Sequence, residues 1–237
     1  MFSVMATKAG RAFTVVRFGL LILRWCGLRI FISRMLHQLY GRTIFLVATG
    51  PLDALGPSSS FQCTVSLASP ADVEELFSKL HHESPEGKYQ LLVRKWYHDL
   101  GFGDCYISRA NDTNEICVVC WFVTPKHIKQ LRWEDRFSIE EGEIMIENIY
   151  VLERYRGTGA HAAFGFLVWK IARQLGYKLR KGYVNETNIP ERRYLEKNSS
   201  KVHERILERH FLFRVTRKTL EIYDPPIPIT ISQVKQS

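Results

Sequence analysis

A glycine-containing turn between a predicted strand and a predicted helix is the part of this sequence best suited to chemistry. Arg156–Gly159 follows the predicted strand 143–151, and the most regular helical pattern of the chain begins at Ala160. Backbone amides in such a turn converge on one point, the helix dipole adds positive potential, and glycine lets a phosphate approach closely. The turn therefore predicts a site for a phosphate-bearing ligand. It lacks the three glycines of the dinucleotide-binding fingerprint and the lysine of a P-loop.

This segment resembles the core signature of the GNAT superfamily of N-acetyltransferases, a strand followed by Arg/Gln-x-x-Gly-x-Gly/Ala at the start of a helix. Arg154–Gly159 matches that pattern literally, whereas the common family run Tyr-Arg-Gly-x-Gly aligns better with Tyr155–Gly159. In the second alignment Arg156 takes the first position and His161 stands where glycine or alanine is usual. The resemblance covers residues 41–222. It implies an α/β (α+β) fold with a central mixed, mostly antiparallel sheet flanked by helices.

The resemblance also implies that acetyl-CoA is the ligand, used as a cosubstrate without a metal. Main-chain groups near Val151 would pair with the pantetheine arm like an added strand. An asparagine after the next strand often contacts the cofactor in this family, which makes Asn188 the first candidate and Asn198 the second, with helix capping as the alternative for either. The implied cofactor-binding residues are Val151, Arg156, Gly157, Thr158, Gly159, Ala160 and Asn188.

Acetyl transfer to an amine needs a base for the ammonium proton and an acid for the leaving thiolate. By the period of two, alternate residues from Glu143 to Val151 would share one face, which brings Glu147 toward the acceptor. Many relatives place a tyrosine acid seven residues after the asparagine, but that position is Leu195 here, and Tyr194 lies one residue earlier. A one-residue offset turns a helical side chain by about 100°. Glu147 is the candidate base and Tyr194 the candidate acid; a solvated or paired carboxylate and protonation by water are the respective alternatives.

Periodic patterns elsewhere supply the elements around the turn. β-Branched and aromatic runs predict strands at 42–49, 61–67, 104–109, 116–123, 143–151, 178–184 and 211–222. Apolar residues at helical spacing predict helices at 70–80, 89–100 and 160–175, and a charged helix is predicted at 191–209. We expect one domain over residues 41–224, preceded by a basic amphipathic segment (1–40) and followed by a proline-containing tail (225–237).

The basic residues of the chain are unevenly distributed. Seven of the 33 lie within the first 52 positions, which contain no acidic residue, so residues 53–237 carry 26 basic against 24 acidic side chains. That near-neutral remainder argues against a nucleic-acid partner, and an RNA-directed enzyme using the basic segment is a minor alternative. Residues 12–39 are apolar, but four arginines interrupt them too often for a spanning helix of about 18 residues. We interpret them as a helix lying on an anionic membrane surface; a mitochondrial transit peptide and a helix packed on the domain are the alternatives.

Cysteine usage indicates the compartment. Five cysteines, an odd number without the spacing of a disulfide scaffold, are typical of a reducing environment. Cys117 and Cys120 have redox-motif spacing, but residues three apart in a strand point to opposite faces, so we predict two buried thiols. The histidines lack metal-ligand spacing. We expect a cytoplasmic protein, peripheral on the inner face of the membrane, or a mitochondrial one if residues 1–40 are a transit peptide.

These features predict an N-acetyltransferase that transfers an acetyl or other short acyl group from acyl-CoA to a primary amine by direct attack. The acceptor, the acyl chain length and the oligomeric state stay open. The alternative is a non-catalytic module of the same fold that binds CoA, or has lost it, and is recruited to a membrane.

Overall fold

The computed structural model of the chain describes residues 8–52, 59–131, 137–212 and 214–229. Its helices are α1 (Lys8–Cys26), α2 (Leu28–Tyr40), α3 (Pro70–Ser78), α4 (Pro85–Asp99), α5 (Pro125–Leu131), α6 (Ala160–Gln174) and α7 (Ile189–Lys197). Its strands are β1 (Arg42–Pro51), β2 (Cys63–Leu67), β3 (Asp104–Ala110), β4 (Ile116–Val123), β5 (Glu143–Val151), β6 (Leu179–Asn185), β7 (Lys201–Phe211) and β8 (Arg214–Pro228).

The eight strands form one sheet in the order β2-β3-β4-β5-β6-β1-β7-β8. β5 and β6 are parallel, and the other neighbouring strands are antiparallel. This arrangement confirms the predicted mixed, mostly antiparallel sheet flanked by helices. β4 is buried along its whole length, so Cys117 and Cys120 are buried thiols.

Different helices cover the two faces of the sheet. Trp121 of β4 and Glu147 of β5 are cross-strand partners on one face, where the His98 ring of α4 lies 6.4 Å from the Trp121 ring. Arg180 of β6 points to the other face, and its guanidinium lies 4.4 Å from the ring centre of Trp169 in α6. We call these the α4 face and the α6 face.

A bulge interrupts β5 at Asn148, which has a left-handed φ of 55°. Asn148 and Ile149 together stand opposite Cys120 of β4, so β5 has one residue more than its partner in this stretch. The predicted alternation from Glu143 to Val151 is therefore wrong beyond the bulge. Glu147 lies on the α4 face, whereas Val151 lies on the α6 face.

Arg94 of α4 holds this bulge. Its side chain is buried, Nε donates to the Asn148 carbonyl at 2.7 Å, and Nη2 donates to the Ile149 carbonyl at 2.9 Å. Nη1 donates to the backbone and side-chain oxygens of Gln90, both at 2.9 Å. Because the strand ladder is interrupted at the bulge, Arg94 supplies the hydrogen bonds that its carbonyls need.

The charged segment predicted as a helix over 191–209 is helical only to Lys197. Ser199 has a left-handed φ of 52°, and β7 begins at Lys201. Pairing with β1 on one side and β8 on the other outweighs the helical propensity of its charged residues. β8 continues to Pro228, so residues 225–228, which the sequence places in the tail, belong to the sheet.

The basic segment forms two helices, α1 and α2, that meet at Gly27. One side of this pair packs on α4: the Phe18 ring stacks on Trp96 at 5.4 Å, and Arg34 forms a 2.6 Å ion pair with Glu86. Of the helices that the structure describes, none has the length and apolarity needed to span a membrane.

Candidate active site

A cleft of about 830 Å³ opens where β5 and β6 separate. The two strands pair only from Glu143 and Leu179 as far as Met145 and Lys181. Beyond that point, the edge of β5 over residues 146–151 lines the cleft. A strand edge without a neighbouring strand can pair with an extended ligand, as a pantetheine arm would require.

Most of the predicted site residues border this cleft. Seven of the nine line it: Glu147, Val151, Arg156, Gly157, Gly159, Asn188 and Tyr194. The Thr158 hydroxyl instead donates to the Tyr155 carbonyl at 2.7 Å, and Ala160 is fully buried beneath the turn. The fold therefore brings β5, the glycine turn and α7 to one place, and the roles of these residues stay predictions.

The glycine turn has a geometry suited to an anion. Gly157 and Gly159 adopt left-handed φ angles of 76° and 91°. The amides of Arg156, Thr158 and Ala160 already donate to oxygens within the turn. Among the described residues, the Gly157 and Gly159 amides find no acceptor, which leaves them for the oxygens of a phosphate.

The Arg156 side chain folds back over the end of β5. Its Nε donates to the Val151 carbonyl at 3.3 Å, its Nη2 donates to the Tyr150 hydroxyl at 3.1 Å, and its Nη1 lies 3.3 Å from Glu153. The Tyr150 hydroxyl in turn donates to the buried Glu83 carboxylate. The guanidinium places positive charge beside the turn and occupies one of the two acceptor positions of the Val151 carbonyl.

Glu147 is a largely enclosed carboxyl at the point where β5 and β6 separate. Desolvation raises its pKa to about 8, and the charge of Glu191 acts in the same direction. The nearby backbone at Tyr183 and Asn148 and the charge of Arg94 oppose this rise in pKa. A carboxyl whose pKa lies near neutral pH can accept and release a proton in each turnover.

A second cavity, of about 190 Å³, lies on the α4 face of the same gap. Its walls include five aromatic side chains and an ion pair, namely Phe45, Tyr97, Phe102, Phe137, Tyr183 and the 2.7 Å pair Glu208–Arg217. Glu147 and Asn148 line both this cavity and the larger cleft. Glu147 thus lies where the two cavities meet, at the gap between β5 and β6.

Tyr194 of α7 reaches across the larger cleft toward α6. Its ring centre lies 5.5 Å from that of His161 and 5.6 Å from that of Trp169. A Cβ at position 165 would lie 2.8 Å from the Tyr194 hydroxyl, so Gly165 provides the space that this side chain occupies. Burial raises the pKa of Tyr194 to about 12, so the hydroxyl keeps its proton at neutral pH. Leu195, at the usual tyrosine position of the family, also lines the cleft.

Both candidate asparagines make hydrogen bonds within α7. The Asn188 Oδ1 accepts from the Glu191 amide at 3.4 Å, and its Nδ2 donates to the Glu191 carboxylate at 2.8 Å. The Asn198 Nδ2 donates to the Tyr194 carbonyl at 2.6 Å. Helix capping, the alternative offered for both residues, therefore accounts for their hydrogen bonds in this structure.

Sequence reasoning missed three features of the site: the bulge at Asn148, the arginine that holds it, and a second buried arginine, Arg180, in the wall of the cleft. An asparagine inside a β-branched run is the signal that could have indicated the bulge, since asparagine tolerates a left-handed φ. Neither arginine has such a signal, because nothing local to its sequence shows that it will be buried.

Three comparisons place this fold among known proteins. No protein-family model matches the chain, and no curated protein matches it. Among solved structures, it is similar to the GCN5-related glucosamine N-acetyltransferase region of a fungal multi-domain β-N-acetylglucosaminidase, with a TM-score of 0.52 and 14% identity over 80% of this chain and 23% of that one.

Two other solved structures of N-acetyltransferases are less similar to this chain. A GCN5-related N-acetyltransferase from Sphaerobacter thermophilus gives a TM-score of 0.43 at 16% identity, over 80% of this chain and 56% of that one. A GNAT family N-acetyltransferase from Escherichia coli, solved in complex with CoA, gives a TM-score of 0.33 at 12% identity, over 51% of this chain and 61% of that one. This chain thus spans less than a quarter of the fungal protein, 23%, and at such identities the likeness concerns the fold. The chain has the fold of the GCN5-related N-acetyltransferases.

Proposed function

We propose that this protein is an acyl-CoA-dependent N-acetyltransferase that acts on a primary amine. The observation that carries the proposal is the position of Glu147, which borders both the 830 Å³ cleft and the 190 Å³ cavity. A base placed there can take a proton from an amine in the smaller cavity while an acyl donor occupies the larger cleft.

The larger cleft suits the donor. The Gly157 and Gly159 amides and the Arg156 charge fit a pyrophosphate, and the β5 edge fits an extended arm with amide groups. Bound acetyl-CoA supplies an activated acyl carbon. The residues of this chain hold and orient it and move the protons.

Three proton transfers accompany the new amide bond. Glu147 accepts a proton from the ammonium form of the acceptor, which frees the nitrogen lone pair for attack on the acyl carbon, and the nitrogen loses its second proton to water as the amide forms. The bond between that carbon and the CoA sulfur breaks, and the sulfur needs a proton. Tyr194 lies on the α6 face with its proton retained. Because burial makes Tyr194 a weak acid, water is the competing donor.

The test is thiol release from acetyl-CoA in the presence of a panel of primary amines, using the full chain. We expect amine-dependent release in the wild type and its loss in Glu147→Gln, with acetyl-CoA binding unchanged. Binding of acetyl-CoA without release for any amine would contradict the catalytic proposal.

A non-catalytic CoA-binding module is the second candidate. It is favoured by His161 at a position where the family has glycine or alanine, by Leu195 where it has tyrosine, and by the use of Asn188 as a helix cap. The same assay distinguishes the two functions, since a module of this kind binds CoA and yields no thiol.

We also propose that the protein binds to an anionic membrane surface. α2 exposes Leu28, Ile32, Leu36 and Tyr40 at intervals of four residues, which places them along one side of the helix. Exposed arginines at positions 17, 24 and 29 accompany this apolar stripe, a combination typical of interfacial helices.

Co-sedimentation with vesicles tests the location. The full chain should pellet with vesicles containing phosphatidylserine more than with neutral ones, and Leu28→Ser/Leu36→Ser should weaken the association. Equal recovery with both vesicle types would contradict a membrane location and favour helices that only pack on the domain.

A further inference from the structure

Arg180 is a buried cation in the wall of the larger cleft that the proposed reaction does not use. Only 7% of its surface is exposed, and it lies on the α6 face, the side assigned to the acyl donor. Among the residues that the structure describes, no carboxylate forms an ion pair with it, and its Nε has no hydrogen-bond partner. A buried charge without a counter-charge is costly unless a ligand supplies one.

The surrounding residues hold the guanidinium in one orientation. It stacks over the Trp169 ring at 4.4 Å, and its Nη2 donates to the Ser200 hydroxyl and, at 3.3 Å, to the Asn198 carbonyl. A Cβ at position 50 would lie 2.9 Å from the Ser200 hydroxyl and 3.0 Å from the same Nη2, so the guanidinium packs directly against the Gly50 backbone. The side chain is therefore preorganised in the wall of the cleft.

The position of Arg180 along the cleft follows from its neighbours. His161 is next to the glycine turn, Tyr194 lies 5.5 Å from His161, and the Arg180 guanidinium lies 5.9 Å from the Tyr194 ring. Trp169, under the guanidinium, is about 15 Å along α6 from Gly159 by the rise per residue of a helix. Arg180 is thus farther from the phosphate turn than the candidate acid Tyr194.

Glu191 is the acidic residue whose charge favours the charged form of Arg180, but it does not form an ion pair with it. Its carboxylate instead accepts a hydrogen bond from Asn188 at 2.8 Å. Burial lowers the pKa of Arg180 to about 10, so the guanidinium is still fully charged at neutral pH.

We infer that Arg180 binds a carboxylate at the far end of the acyl group, so that the donor class is a CoA thioester of a short dicarboxylic acid. This inference rests on the proposed function. In the transfer, the amine nitrogen bonds to the acyl carbon, the bond from that carbon to sulfur breaks, and Glu147 takes the amine proton. The CoA sulfur takes a proton from Tyr194 or from water and leaves as the thiol, and the amide product keeps the free carboxylate paired with Arg180.

Calorimetry on the full chain with succinyl-CoA and butyryl-CoA tests the inference, because these donors differ by a carboxylate in place of a methyl group. We expect succinyl-CoA to bind about tenfold more tightly or better, as a charge-assisted pair in an enclosed site would provide. Arg180→Gln should bring the ratio close to one. Arg193→Gln, on the exposed side of α7, is the matched control and should keep the wild-type ratio.

Each outcome decides the inference. Equal affinity of the wild type for the two donors overturns it, and so does a preference that survives in Arg180→Gln. If circular dichroism shows Arg180→Gln to be unfolded, Arg180→Lys replaces it and should reduce the ratio, since an ammonium cannot pair with both carboxylate oxygens in the same way. If CoA and acetyl-CoA bind but succinyl-CoA is not preferred, the role of Arg180 is wrong and the proposed function is unaffected. If CoA itself does not bind, both the role of Arg180 and the proposed function are wrong.

Discussion

The two sides of the gap between β5 and β6 are built from the chain in different ways. On the α6 face, β5, the glycine turn and α6 follow one another directly in sequence. On the α4 face, the smaller cavity is assembled from β1, α4, β7, β8 and the segment around Phe137. A continuous stretch carries its own sequence signature, whereas an assembled cavity exists only through packing.

Because the two faces are built differently, substitutions should affect ligand binding differently on each of them. The α6 face, which we propose as the donor side, depends on backbone: two left-handed glycines and a strand edge. The α4 face, which we propose as the acceptor side, depends on side chains from separate elements, so a few substitutions there should change the acceptor without altering donor binding. Glu147 belongs to both sides, and Arg94 holds the bulge between them.

The substitution Glu147→Gln should have the largest effect, because it removes the group that both sides share. Glutamine has nearly the same shape but cannot accept a proton, so kcat should fall by about 10²–10⁴-fold. The Kd for acetyl-CoA should stay the same.

In the wild type, kcat should rise with pH to a midpoint near 8, because desolvation raises the pKa of Glu147 to about 8 and only the ionised form is a base. Steady-state kinetics over pH 6–9.5 measure both, and wild-type kcat in the variant would exclude Glu147 as the base.

The substitution Arg94→Met should damage both sides through the bulge. The Asn148 and Ile149 carbonyls lose a charged donor in the interior, so the free energy of unfolding should fall by about 3 kcal/mol. Lys95→Met is the matched control, since Lys95 pairs with Asp99 on the exposed side of α4 and should change stability by less than about 1 kcal/mol. Urea denaturation followed by circular dichroism measures the two variants. Equal midpoints would show that Arg94 does not stabilise the bulge.

A smaller effect is expected at Gly165, on the donor side alone. A Cβ there would meet the Tyr194 hydroxyl at 2.8 Å, so Gly165→Ala should displace Tyr194 and lower kcat about tenfold if that hydroxyl is the acid. Tyr194→Phe should have a similar effect, and adding Gly165→Ala to it should change little, because the clashing atom is gone. Additive losses in the double variant would place the effect of Gly165 elsewhere, and unchanged kcat in Tyr194→Phe would leave water as the proton donor.

A further effect is expected on stability as a function of pH. The pKa of Glu147 is about 8 in the folded chain and 4.5 ordinarily, so between these values the folded chain holds a proton that the unfolded chain releases. Stability from this group is therefore present at low pH and is lost as pH rises toward 8. Thermal melts at pH 5 and pH 8.5 should show a larger decrease in Tm for the wild type than for Glu147→Gln, and parallel decreases would contradict the raised pKa.

Local features were predictable from the sequence, and features that depend on packing were not. The turn at Arg156–Gly159 and the helix after it were identified because strand, glycines and helix adjoin in the chain. The bulge reversed the predicted face of Val151, because one extra residue in β5 shifts every later side chain to the other face. Residues 201–209 form a strand because β1 and β8 flank them, which their charged composition does not indicate.

The central claim is that the glycine turn binds the phosphates of CoA, and one pair of variants tests it most directly. Gly157 and Gly176 have left-handed φ angles of 76° and 92°, and a Cβ at either would meet nothing within 4 Å, but only Gly157 lines the cleft. Gly157→Glu and Gly176→Glu therefore impose the same backbone strain, and one of them also places a negative charge at the proposed phosphate site. In calorimetry on the full chain, the account predicts that acetyl-CoA binds the wild type and Gly176→Glu and does not bind Gly157→Glu. Equal binding by the two variants, or no binding by the folded wild type, would contradict it.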